Sequence, residues 1–160
     1  MKTVESVKLG VVNPLGDFLL LRRVVKNNGT PEIRGGKWDL PGGEIDPVDG
    51  RDILRAAERE LYQESGLDLG SMDILSVKGP DIRQSKYGHT NIRHLVIARC
   101  ALVSPTVQFI NYPGTEPEHS DSLWTSPMHA YNIIDHPVQR EFIQIAAQAI
   151  NNTYDVQLIG

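Results

Sequence analysis

The sequence predicts an α/β chain of the α+β kind, a mixed β-sheet sandwiched between helices, and three observations carry that reading. Apolar runs of strand length recur as "SVKLGVVN", "DFLLLRRV", "DILSVKG" and "IRHLVIARCALV". Two longer segments, "DILRAAERELYQESGL" and "VQREFIQIAAQAI", place apolar residues at helical spacing. These helical segments interleave with the strands, the order expected of a sheet covered on both faces. With 160 residues and no internal repeat or linker, residues 1–160 suit a single domain around one sizeable core.

Taken in order, "SVKLGVVN" and "DFLLLRRV" are separated by "PLG", whose Pro14 and Gly16 punctuate a hairpin. Residues 25–37, "VKNNGTPEIRGGK", are polar and glycine-rich and read as a loop. Asp52 stands directly before Ile53 and Leu54 as the N-cap of the first helix, and Gly66 is its stop. "DILSVKG" and the long run from Ile92 follow as strands, the second central in the sheet. "TVQFI" and "SLWTS" are shorter strand candidates. The last helix is amphipathic, with Phe142, Ile145, Ala146 and Ile150 near one face.

Composition narrows the class of function. Hydrophobic content of 40% and charged content of 22% are those of a globular chain. A net charge of -4 argues against a surface that coats nucleic acid, yet allows a small phosphorylated ligand held through metal ions. The single cysteine, Cys100, excludes an internal disulfide and a multi-cysteine zinc site, and its apolar flanks read as core. The N-terminus lacks a signal-peptide run and no segment reaches membrane-spanning length, so the expected location is cytoplasmic.

One stretch resists a purely structural explanation. Glu60 and Glu64 lie one turn apart in the first helix, where like charges cost a few tenths of a kcal/mol, roughly. At 100° per residue they lie roughly 40° apart around the axis. They border the stripe of Ile53, Leu54, Ala57 and Leu61, while Arg51, Arg55, Glu58 and Tyr62 take the opposite face. Taken alone, such a pair reads as well as two carboxylates reaching past the core edge to water. Upstream, "LPGGEI" places Gly42 and Gly43 in a tight turn whose backbone can approach a ligand and offer a carbonyl oxygen. Carboxylate and backbone oxygens, completed by water and substrate phosphate, are the ligands magnesium prefers.

"PGG", a short acidic loop and "AAERELYQESGL" together resemble the Nudix box, G-x5-E-x7-R-E-U-x-E-E-x-G-U with U aliphatic. Gly43 matches its first glycine, and Arg59, Glu60, Leu61, Glu64, Gly66 and Leu67 match its helical half. "GGKWDLPGG" is similar to the usual approach to the box. "EPEHSDSLWTS" is similar to the family's E-H-x-x-x-x-W segment, with Glu118, His119 and Trp124 in the matching places and Asp121 in reserve. The resemblance implies a Nudix-type mixed sheet between helices and metal-dependent hydrolysis of a nucleoside diphosphate linked to a group X. It implies Glu60, Glu64, Glu118 and a carbonyl of Gly42 or Gly43 as ligands of Mg2+, with Mn2+ as a substitute. Glu64 and Glu118 would take part in catalysis, Glu118 as base or ligand, and Arg59 would brace helix and loop.

Two departures bear on activity. Counting forward from Gly43, the box glutamate falls on Asp49; counting back from Arg59, it falls on Arg51, because the segment is about two residues long for the pattern. Gln63 stands where the first glutamate of the E-E pair is usual, a carbonyl donor without charge. The expected substrate is a nucleoside triphosphate or nucleotide sugar, with a dinucleoside polyphosphate as competitor. Arg83, Lys86 and Tyr87 in "GPDIRQSKYGHTNIRH" are candidate substrate contacts if that segment covers the site. Pro80 and Tyr87 fall near, not on, sub-family marker positions. The departures also suit an alternative, a Nudix-fold nucleotide-binding or sensor module with weak turnover. A small-molecule nucleotide partner, no membrane, no nucleic-acid surface and a homodimer complete the expectations.

Overall fold

The computed structural model describes residues 2–110 and 117–159, with side chains in the last helix through Asn151. The strands are β1 (Thr3–Val12), β2 (Phe18–Arg23), β3 (Lys26–Asn27), β4 (Thr30–Pro31), β5 (Trp38–Asp39), β6 (Gly42–Glu44), β7 (Asp73–Gln84), β8 (Thr90–Arg99) and β9 (His119–Thr125). The helices are α1 (Ile53–Ser65), α2 (Pro127–Ile133) and α3 (Pro137–Ile159).

Seven strands form one mixed sheet in the order β5-β2-β1-β8-β7, with β6 also paired to β1 and β9 to β2. β1 and β8 are parallel and the other pairs antiparallel. Two-residue alternation sorts the side chains. Val7, Leu9, Val11, Leu19, Leu21, Val96 and Ala98 pack with Ala56, Ala57 and Leu61 of α1. Val12, Phe18, Leu20, Leu95 and Ile97 meet Ala130 of α2 and Val138, Phe142, Ile143, Ala146 and Ile150 of α3. The sheet is therefore buried on both faces, the predicted mixed sheet between helices.

The turn that matters lies where two strands part. β1 and β2 pair at Val12 and Phe18, next to the hairpin, and then separate. The chain enters the gap along β2 as β5, reverses at Leu40–Pro41, and leaves along β1 as β6. Leu9 N donates to Pro41 O at 2.8 Å and fixes the reversal. A side chain at Gly42 (φ +137°) would put its Cβ 2.0 Å from Val7 O, so only glycine fits.

Some expectations need correction. "TVQFI" forms no strand: Gln108 N and Ile110 N donate to Ser65 O and Gln63 O at the end of α1, so the segment follows a helix terminus instead of a sheet edge. β8 stops at Arg99; Cys100 is buried just past it, its N–H on Val12 O, and "ALVS" is not strand. Residues 25–37 are mostly loop but hold the small β3–β4 hairpin. On α3, Ile143 is buried and Ile145 is 40% exposed, so the stripe runs through Ile143. α2 was not anticipated; Ser126 caps it by accepting from His129 N, and Pro127 starts it. No helix among the described residues is long and apolar enough to cross a membrane.

Candidate active site

Local signals set α1 in place. The Asp52 carboxylate accepts from Leu54 N and Arg55 N, and Gly66, left-handed at φ 74°, donates to Tyr62 O. Ala56, Ala57 and Leu61 are fully buried against the sheet, whereas Leu54 is 41% exposed and lies off the stripe. Glu64 continues the buried face one turn beyond Leu61 and keeps only 6% of its surface. It lies within the apolar stripe, not merely at its border.

The two-residue discrepancy in the box resolves in favour of Asp49. Its buried carboxylate takes two hydrogen bonds from Arg59, Nε to Oδ1 at 2.9 Å and Nη2 to Oδ2 at 2.8 Å. Those bonds hold its pKa below the usual carboxylate range against the opposing effect of burial. Asp49 closes a short 3-10 turn, Pro47–Asp49, and accepts from Asp46 N. The extra length is absorbed at Gly50 and Arg51, both left-handed at φ 61°, which turn the exposed Arg51 away before α1 begins. Arg59 also donates to Glu44 O at 3.1 Å and to Glu60 Oε1 at 3.0 Å. One guanidinium thus ties the loop to the helix.

The glycine turn meets the acids from above. Gly42 N donates to Glu64 Oε2 at 2.9 Å, and a Cβ on Gly43 would stand 2.8 Å from the Glu60 carboxylate. Gly42 O faces the Lys8 ammonium at 3.5 Å, and Leu40 O accepts from the same Nζ at 3.2 Å. Of the two candidate glycine carbonyls, that of Gly42 already faces a cation.

A cavity of about 480 Å3 opens beside α1, lined by Asn27, Asn28, Asp46, Val48, Arg59, Glu60, Gln63, Glu64, Phe109, Ile110, Pro117, Glu118 and His119. Within it, donor atoms of Glu64, Glu118 and His119 lie within 4.8 Å of one another. Burial pushes the Glu64 carboxyl up to about 8; Lys8 and the Gly42 N–H oppose the shift, while Glu60 and Glu118 reinforce it. Glu60 is also raised by burial, with Arg59 opposing. Burial, aided by Arg23 and Lys8, lowers His119 to about 4, so its imidazole is neutral.

The structure therefore brings Glu64 and Glu118 together with His119, places Glu60 beside them in the grip of Arg59, and sets Gln63 on the same wall. Arg83, Lys86 and Tyr87 are not there. The segment expected to cover the site is paired β-structure through Gln84, followed by a tight turn into β8. Arg83 binds Asp81 and Glu141, and Lys86 sits over the exposed Tyr87 ring in the turn. Asp121 is exposed, accepts from Ser120 Oγ and lines no part of the cavity. Sequence reasoning overlooked Lys8, whose signal was a lone charge within "SVKLGVV", and the asparagines of the β3–β4 turn, which carried none.

No curated protein sequence matches the chain. The NUDIX domain pattern matches residues 3–144. An Ap4A hydrolase from C. elegans superposes with a TM-score of 0.71 at 20% identity, over 93% of this chain and 98% of that one. A MutT protein from Methanosarcina mazei Go1 gives 0.65 at 23% identity, over 92% and 94%. The NUDIX domain of Shewanella oneidensis NrtR, solved with ADP ribose, gives 0.60 at 17% identity, over 96% and 90%. The chain belongs to the NUDIX family, and with that family it is a hydrolase acting on acid anhydrides.

Proposed function

We propose that the protein hydrolyses the phosphoanhydride of a nucleoside diphosphate linked to a further group, and that it needs a divalent cation in the cavity to do so. The observation that carries this reading is the meeting of Glu64, Glu118 and His119 donor atoms at the cavity wall. A cation fits there on the chemistry of the donors. Glu64 is buried with one hydrogen bond, from Gly42 N, so its ionised form lacks a compensating partner in direct contact. Glu60, Glu64, Glu118 and the Gly43 carbonyl would hold Mg2+, or Mn2+ in its place. When bound, such an ion neutralises phosphate oxygens and lowers the pKa of the attacking water.

The remaining work belongs to the chain's own residues. Glu118, exposed at the cavity, would take the proton of the attacking water where it does not itself bind the ion. Glu64, oriented by Gly42 N, stays fixed. Arg59 keeps Glu60 and the loop from moving apart. The cavity is acidic at Glu60, Glu64 and Glu118 and apolar at Val48, Phe109 and Ile110, which suits a ligand with a charged chain and a flat, less polar group. A nucleoside triphosphate or nucleotide sugar fits that description first, and a dinucleoside polyphosphate second. Release of nucleoside monophosphate from a nucleotide panel, run with Mg2+ and with Mn2+, tests the reading.

A second reading, a nucleotide-binding module with little turnover, draws on the neutral Gln63 and on the hold of Arg59 on Glu60. Tight nucleotide binding without turnover, unchanged in Glu64→Gln, would favour it.

A further inference from the structure

We infer that the cavity holds its cation through a nitrogen as well as oxygens, with the His119 ring as a ligand beside Glu64 and Glu118, and that it therefore selects a borderline ion of the Mn2+ or Co2+ kind over Mg2+. The inference deepens the reading above and rests on it for the presence of a cation.

Three observations converge on the imidazole. His119 keeps only 4% of its surface, yet it lines the cavity. An imidazole at the wall of a polar cavity can offer a lone-pair nitrogen to a cation. Second, its orientation follows from an irregularity in the sheet. β9 pairs Ser122 with Leu21 and Asp121 with Arg22, then skips Ser120, so that His119 and not Ser120 stands opposite Arg23. Leu21 belongs to the face packed on α1, and Arg23 shares its parity. The extra residue thus turns His119 toward Glu64, where regular pairing would have sent it to the opposite face.

Third, the spacing fits one ion. Two donors each about 2.2 Å from a shared ion lie at most about 4.4 Å apart. The atoms of Glu64, Glu118 and His119 all lie within 4.8 Å, so a small contraction closes the set. Glu64 is held by Gly42 N, whereas Glu118 is exposed and adjoins His119 in sequence, so Glu118 is the side chain freest to rotate inward. Imidazole suits first-row transition ions, whereas Mg2+ takes oxygen almost exclusively.

The test is direct binding of Co2+, Mn2+ and Mg2+ to the full chain by calorimetry, for wild type and His119→Gln. The expected result is a loss of about ten-fold or more in Co2+ and Mn2+ affinity with Mg2+ affinity nearly unchanged. Equal losses for all three ions, or no loss, overturn the nitrogen ligand. Should His119→Gln fail to fold, wild-type histidine ring resonances are followed as Co2+ is added. The His119 ring should shift and broaden in step with saturation, beyond His89, His94, His129 and His136. A His119 ring no more affected than those four overturns the proposal. Hydrolysis in the nucleotide panel is scored separately, so an active enzyme with an unperturbed ring sinks this inference alone.

Discussion

Two buried carboxylates, Asp39 beside the glycine turn and Glu64 on α1, differ in everything except burial. Asp39 keeps 1% of its surface and Glu64 keeps 6%. Asp39 accepts from Arg34 Nε at 2.9 Å and from Nε2 of Gln139 on α3 at 3.0 Å, with Arg34 Nη2 2.7 Å away. The same Gln139 accepts from Leu40 N at 2.8 Å, tying α3 to the strand that leads into the glycine turn. Burial alone would raise Asp39, but Arg34, Lys8 and Gln139 outweigh it and leave the group below its ordinary value. Glu64, on α1, has the charge of Lys8 and the Gly42 N–H against it, and burial wins. A carboxylate surrounded by partners is part of the frame. One that is buried and left short of them is a candidate for the functional site.

Removing a partner should have opposite consequences in the two places. Asp39→Asn leaves the Arg34 guanidinium without its buried counter-charge and should cost about 3–5 kcal/mol, read from denaturant unfolding. Activity per folded molecule should stay near wild type, since Asp39 lines no part of the cavity. Glu64→Gln should do the reverse. It relieves a buried charge while keeping an acceptor for Gly42 N, so the metal-free protein at pH 8 should melt at a higher temperature. Its kcat/KM should nevertheless fall by at least about a hundred-fold.

The contrast also sets a pH dependence. Glu64 has a folded pKa of about 8 against 4.5 for the free group. Between those values the folded state keeps a proton that the unfolded state has released. Metal-free stability therefore falls as pH rises through this window and levels off above about 8. Glu64→Gln should lack that decline. His119 acts in the other direction at lower pH: with a folded value near 4 against 6.5, it costs stability as pH falls from 6.5 toward 4. Melting temperature against pH, with chelator present, separates the two. The smallest expected effect is at Gln63, where Gln63→Glu should raise Mn2+ affinity or kcat a few-fold by adding charge beside Glu64. No gain would place Gln63 outside the coordination sphere.

How much of this was legible in the sequence follows from how local each signal is. Asp52 and Gly66 mark the ends of α1 because capping is decided within a few residues. The two-residue excess in the box was countable, but the choice of Asp49 as partner of Arg59 depended on Gly50 and Arg51 both turning left-handed, which the residue count does not show. "TVQFI" carries strand propensity, yet its available backbone partners are carbonyls of α1. His119 sat in a recognisable segment, but its direction rests on a skipped residue in β9 that no local pattern announces. Gln139 and Asp39 are far apart in sequence and meet only through the packing of α3 on the sheet.

The central claim is that Glu64 waits, protonated and buried, for a cation. Calorimetric titration of the protein with Mn2+ at pH 7, repeated in buffers of differing ionisation enthalpy, counts the protons released on binding. About one proton per ion from wild type and almost none from Glu64→Gln is the predicted result. Equal release from both proteins, or binding by wild type without any release, would contradict it.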